Sequence, residues 1–152
     1  MKSILIVTII FISLSSFARS NNGHVHLADS AYAILPYDTS DYLFKNGKET
    51  TLSKQDLKVA EKLINNAIDE YNHEFDNSPF KNLLIQYNYK MQLVPVINSK
   101  GEKEIWINAM CETFPGWREH TISISDGGSC FFNLKINLSK NKHYDMMVNG
   151  EA

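Results

Sequence analysis

Two thiols are present in the chain, Cys111 and Cys130. A cysteine can attack only when a neighbouring base makes its thiolate, and no histidine is spaced to stand beside either one. In an oxidising compartment two such thiols pair, and a Cys111–Cys130 disulfide is the expected outcome. The other ionisable candidates point to no catalysis. Asp126 precedes Gly127 and Gly128, which is turn chemistry rather than a base or metal ligand. His24 and His26 form a His-x-His, and Asn22-Gly23-His24 would chelate copper only if Asn22 were the free amino end; the stretch from Asn21 to Asp29 otherwise reads as a solvated tail. No catalytic residue, metal ligand or cofactor motif is predicted. Asn137-Leu138-Ser139 fits a glycosylation triplet, which matters only in a eukaryotic host.

The elements that must position these residues are legible from their periods. Ser53 reads as an N-cap with Asp56 at the third helical position, and Leu52 and Leu57 form a hydrophobic staple around it. Leu57, Ala60, Ile64, Ala67, Ile68, Tyr71 and Phe75 then recur at helical spacing until Asp76-Asn77-Ser78-Pro79 ends the run. After Pro79 the period becomes two. Tyr87, Tyr89, Met91 and Leu93 form one apolar set, and Ile105, Ile107, Ala109 and Cys111 another. Cys130, Phe132, Leu134, Ile136 and Leu138 follow the Asp126-Gly127-Gly128 turn, and Tyr144, Met146 and Val148 close the series. Before the helix, Ala31 to Leu35 reads as a short strand, and Tyr42-Leu43-Phe44 runs into a Lys45-Asn46-Gly47-Lys48 turn.

A one-residue slip would turn a strand's apolar set to the wrong face, so register follows from the core. A Ser99-Lys100-Gly101 loop sets Asn98 opposite Glu102 and Leu93 opposite Ile107. The disulfide sets Ala109 by Phe132, Ile107 by Leu134 and Ile105 by Ile136. A Lys140-Asn141-Lys142 loop sets Leu138 opposite Tyr144 and Leu134 opposite Val148. The bridge also holds shut the excursion from Glu112 to Ser129, where Ile122 and Ile124 could add a short strand.

Met1-Lys2-Ser3, the apolar run from Ile4 to Leu14 and the small residues to Ala18 have the three parts of a secretory signal. The apolar run is shorter than the ~18–20 residues that a spanning helix needs. The expected organisation is a signal peptide over 1–18, an N-terminal extended segment over 19–50 and a helix-plus-sheet domain over 51–152, in an exported periplasmic or secreted protein with no membrane span after cleavage. The 15 basic and 17 acidic residues give a net charge of −2, spread without blocks. That balance offers no electrostatic footprint for nucleic acid or an anionic membrane.

One helix covers one face of a sheet. On the other face the registers line up Val94, Trp106, Lys135 and Met147 as one row and Lys90, Met110 and Phe131 as a second, with Trp106 and Lys135 in cross-strand cation–ring contact. This open face is one candidate docking or homodimer surface, and Phe114 with Trp117 in the bridged loop is the other. The competing expectation is that Tyr32 to Phe44 folds over the sheet and that Trp117 packs against the disulfide. The core positions between helix and sheet carry no His, Asp or Glu, so binding to a protein or envelope polymer is favoured over a small hydrolase or isomerase.

The strings Leu35-Pro36-Tyr37-Asp38-Thr39-Ser40, Val94 to Lys103, Trp106-Ile107-Asn108, Asp126-Gly127-Gly128, Cys130-Phe131-Phe132-Asn133 and Val148-Asn149-Gly150 resemble a family of small exported bacterial proteins with no assigned function. That resemblance implies export and lends no activity. The expected fold class is α+β, one long helix packed on a four-stranded antiparallel meander, and this layout resembles the cystatin fold. Cystatins inhibit cysteine proteases through a Gln-x-Val-x-Gly hairpin and a Pro-Trp hairpin. Here the tips read Asn98-Ser99-Lys100-Gly101 and Ser139-Lys140-Asn141-Lys142, and Phe114-Pro115-Gly116-Trp117 lies in a different loop, so the resemblance implies layout and not inhibition.

Overall fold

The computed structural model describes residues 25–39, 43–75, 83–84 and 88–150. The leader pattern of 1–18, the Asn22-Gly23-His24 triplet, Tyr42, Tyr87 and the Asp76-Asn77-Ser78-Pro79 stop lie outside these residues. The fold is α+β, with helix α1 (Lys54–Phe75) and a mixed six-stranded sheet.

Helix α1 starts where its capping residues dictate. The Asp56 N–H donates to Ser53 Oγ (3.1 Å) and the Ser53 N–H donates back to Asp56 Oδ2 (2.8 Å), a reciprocal cap that satisfies orphan donors of the first turn. Lys103 Nζ, 3.0 Å from the same oxygen, ties this end to the sheet. Burial opposes ionisation of Asp56, but the bonds from Ser53 and Lys103 outweigh it and hold the carboxyl below its usual value. From there Ala60, Leu63, Ile64, Ala67 and Ile68 are buried against Met91, Leu93, Ile105, Ile107, Phe132, Leu134 and Ile136. Each Leu, Ile, Met or Phe among them contributes about 1.5–3 kcal/mol through removal of its apolar surface from water.

The sheet is built around β3 (Lys90–Ile97) and β4 (Lys103–Met110), followed by β5 (Phe131–Asn137) and β6 (Lys142–Val148). The β3–β4 register is the expected one, with Leu93 opposite Ile107 and Met91 opposite Ala109; the Asn98 N–H donates to the Glu102 carbonyl across the turn. So is β4–β5, with Ala109 opposite Phe132 and Ile105 opposite Ile136. Cys111 and Cys130 are bridged, Cα atoms 4.9 Å apart. The chain enters β5 through a left-handed Gly127 (φ 87°), where a Cβ would stand 2.7 Å from the Phe131 ring, so only glycine fits.

The expected four-stranded antiparallel sheet is corrected at its β3 edge. β1 (Tyr32–Ile34) pairs parallel to the first half of β3, and β2 (Lys48–Glu49) pairs antiparallel to its second half. Residues 25–27, expected to be a loose tail, are also fastened. Asn65 bonds both the N–H (2.7 Å) and the carbonyl (3.0 Å) of Val25, and Glu61 accepts from the Leu27 N–H and contacts His26.

The β5–β6 register is a second correction. Phe132 opposes Val148 and Asn133 opposes Met147, but Lys135 opposes Tyr144, so β6 carries one extra residue between these pairs. Asp145 takes φ 51° there, which makes this a bulge. Val148 and Met146 stay on the helix side, as expected. Tyr144, expected in the core, is turned to the opposite face, and His143 takes the helix side beside Glu70.

Candidate functional site

The face of the sheet away from α1 is largely covered. Met91 to Val96 are buried without a break, the pattern of a strand enclosed on both sides. Ala33, Leu35, Tyr37, Leu43 and Phe44 pack over Val94, Val96 and Trp106, with Trp117 against the same cluster. The Tyr37 hydroxyl closes this strap by donating to the Phe44 carbonyl (2.6 Å). The open face is thereby corrected: Trp106 is 7% and Phe131 8% exposed. The competing expectation, that the segment around Tyr32 to Phe44 folds over the sheet, agrees with the packing of its described residues.

The bridged loop covers the rest, held by polar side chains that the alternating pattern assigned to solvent. Gln92 is fully buried. Its Nε2 donates to the carbonyls of Trp117 and His120 (both 2.6 Å), and its Oε1 accepts from Asn108 Nδ2 (3.0 Å) and the Ile122 N–H (2.9 Å). Asn108 also donates to the Ile122 carbonyl, and Asn149 Nδ2 to the carbonyls of Ile124 and Asp126. Ile122 and Ile124 form no strand; their backbone groups serve these side chains instead. Arg118 stacks on Trp117 at 4.3 Å and donates to the Tyr32 and Ser30 carbonyls. Phe114 packs on Phe131 with ring centroids 6.0 Å apart.

What the strap and loop leave open lies beside the bulge. Three of the side chains singled out from the sequence, Trp106, Lys135 and Met147, line one groove of about 430 Å³ with Leu43, Asn133 and Asp145. That volume suits a ligand or an inserted side chain. The bulge shapes it, because Asp145 and Met147 both point to this side. Met147 is 62% exposed, the most exposed large apolar side chain among the described residues. Lys135 does not ride on Trp106 as expected. Its Nζ lies 5.5 Å from the Phe44 ring centroid and 3.3 Å from Asp145 Oδ2, so the two ionisable groups of the groove neutralise one another. Phe131 belongs instead to a smaller adjoining cavity beneath the loop, shared with Trp106 and Asn133.

Beyond the groove, a polar cluster fixes the β4–β5 end of the face. Asn137 Nδ2 donates to both Glu102 and the buried Glu104 (2.8 Å each), and Lys140 sits 2.6 Å from Glu102. Bonds from Lys140, Asn137 and Asn98 lower the Glu102 pKa to about 2. Tyr144 bonds Glu104, and burial first and that carboxylate second push its phenol well above the usual range.

Sequence reasoning missed Gln92, Leu43 and the His143–Glu70 pair (3.2 Å) on the helix side. Gln92 carried no signal, since an alternating glutamine reads as solvent-facing. His143 was misplaced by the bulge, which no glycine marks. Comparison of the chain with protein-family models, with curated proteins and with solved structures returned no match.

Proposed function

We propose that this is an exported, non-catalytic binding module whose contact surface is the groove beside Met147. The carrying observation is that Trp106, Lys135 and Met147 meet in one cleft whose floor and exposed wall are apolar and whose two charges are already paired. Such a site rewards an apolar group that displaces water from Met147 and Leu43, and it holds no base or nucleophile aimed at a substrate. The leader pattern and the Cys111–Cys130 bridge support export. Among the described residues no helix is long and apolar enough to cross a membrane. The resemblance to small exported bacterial proteins and the cystatin-like helix-over-sheet layout belong to this reading. The partner class is a protein or an envelope polymer, or a second copy of the chain.

The enzyme alternative keeps one foothold, the His143–Glu70 pair at the margin between α1 and β6. A carboxylate orients a histidine in many general bases.

Met147→Glu tests the binding reading, because that side chain is exposed and its loss should leave folding intact. Sedimentation of the exported protein, alone and with its co-purifying partner, should show affinity falling about tenfold or more, as expected when a charge enters an apolar contact. Unchanged association would remove the groove as the contact surface. Replacing Trp106 or Phe131 would test folding instead, since both are buried.

A further inference from the structure

β6 borders a second depression on its helix-facing side, of about 350 Å³. Its base is the ring pair of Tyr71 and Phe75, centroids 4.7 Å apart, with Met146 from the strand. Its rim is acidic. Glu70 and Glu74 are one helical turn apart, so they repel, and both stand near the C-terminus of α1, where the helix dipole already makes the potential negative. Two carboxylates there work against the helix unless cations compensate. His143 Nε2 meets Glu70 at 3.2 Å; no cation among the described residues meets Glu74. The Tyr71 phenol is raised by burial and, second, by the charge of Glu74.

We infer that this cleft binds an organic cation on an apolar body, an alkyl or aryl amine, with the ammonium at Glu70 and Glu74 and the hydrocarbon on Tyr71, Phe75 and Met146. Ring faces attract an ammonium, carboxylates neutralise it, and the methionine and rings take the hydrocarbon. A neutral ligand would leave Glu74 uncompensated and an anion would be repelled. The site is on the opposite face of the sheet from the Met147 groove and does not depend on it.

The test is titration of the full exported protein with 4-phenylbutylamine and with the neutral 4-phenylbutanol, followed by the NMR signals of the Met146 methyl and the Tyr71 ring. The amine should shift both signals saturably and bind at least about fivefold more tightly than the alcohol. Glu74→Gln, at an exposed position, should weaken the amine about fivefold and leave the alcohol unchanged. Equal affinity for amine and alcohol, no saturable shift, or an unchanged amine affinity in Glu74→Gln would overturn the site.

Discussion

Gln92→Met asks whether one buried side chain, rather than the disulfide alone, keeps the bridged loop on the sheet. Methionine preserves length and volume at a fully buried site, so the change removes hydrogen bonds and little packing. The Trp117 and His120 carbonyls lose their donor, and the Ile122 N–H loses its acceptor. Asn108 keeps its bond to the Ile122 carbonyl. Each backbone group left buried and unpaired costs about 1–3 kcal/mol, so a loop that stays in place loses about 3–9 kcal/mol. The loop can instead lift and hydrate these groups, which limits the loss to about 3 kcal/mol. With an unfolding entropy of about 2.1 cal/mol/K for each of about 113 described residues, the thermal midpoint falls by about 13 °C. Urea unfolding measures the loss, and amide hydrogen exchange at Ile122 reports whether the loop has lifted. A loss below about 0.5 kcal/mol with Ile122 still protected would refute the role given to Gln92.

Replacing Cys111 and Cys130 together with serine opens a loop of about 20 residues and should cost about 3 kcal/mol in the same urea assay. Combined with Gln92→Met, the losses should depart from additivity, because both changes release the same loop; simple addition would place the two devices on separate units. Glu102→Gln should flatten the acid limb of stability. The folded pKa of Glu102 lies near 2, below its unfolded value of 4.5, so its contribution is complete above about pH 4.5 and disappears as pH falls toward 2. Unfolding midpoints from pH 2 to 6 that keep the wild-type slope would contradict the Lys140–Glu102–Asn137 network.

The parts legible in the sequence were those with a local cause. The capping pair Ser53 and Asp56 marked the start of α1, Gly101 marked the β3–β4 turn, and the two cysteines fixed β4 against β5, so those registers agree with the structure. The parts that were not legible have non-local causes. β1 and β2 are three and two residues long, too short for an alternating pattern to announce which strand each pairs with. The Asp145 bulge needs a left-handed residue, which aspartate tolerates without the glycine that would have signalled it. Gln92 and Asn108 alternate with core residues and so read as solvated, although a loop far along the chain supplies their partners. Trp106, Lys135 and Met147 were found for their exposure on a shared face. Their actual meeting depends on the strap at Leu43 and on the bulge.

The central claim is that the face away from α1 is closed except at the Met147 groove. Photo-crosslinking in the native compartment tests it most directly, with a photoreactive amino acid in place of Met147 and, as control, in place of Ile34, the other exposed large apolar side chain among the described residues. A discrete adduct from position 147 and none from position 34 is the predicted result. Equal adducts from both positions, or adducts from position 34 alone, would contradict it.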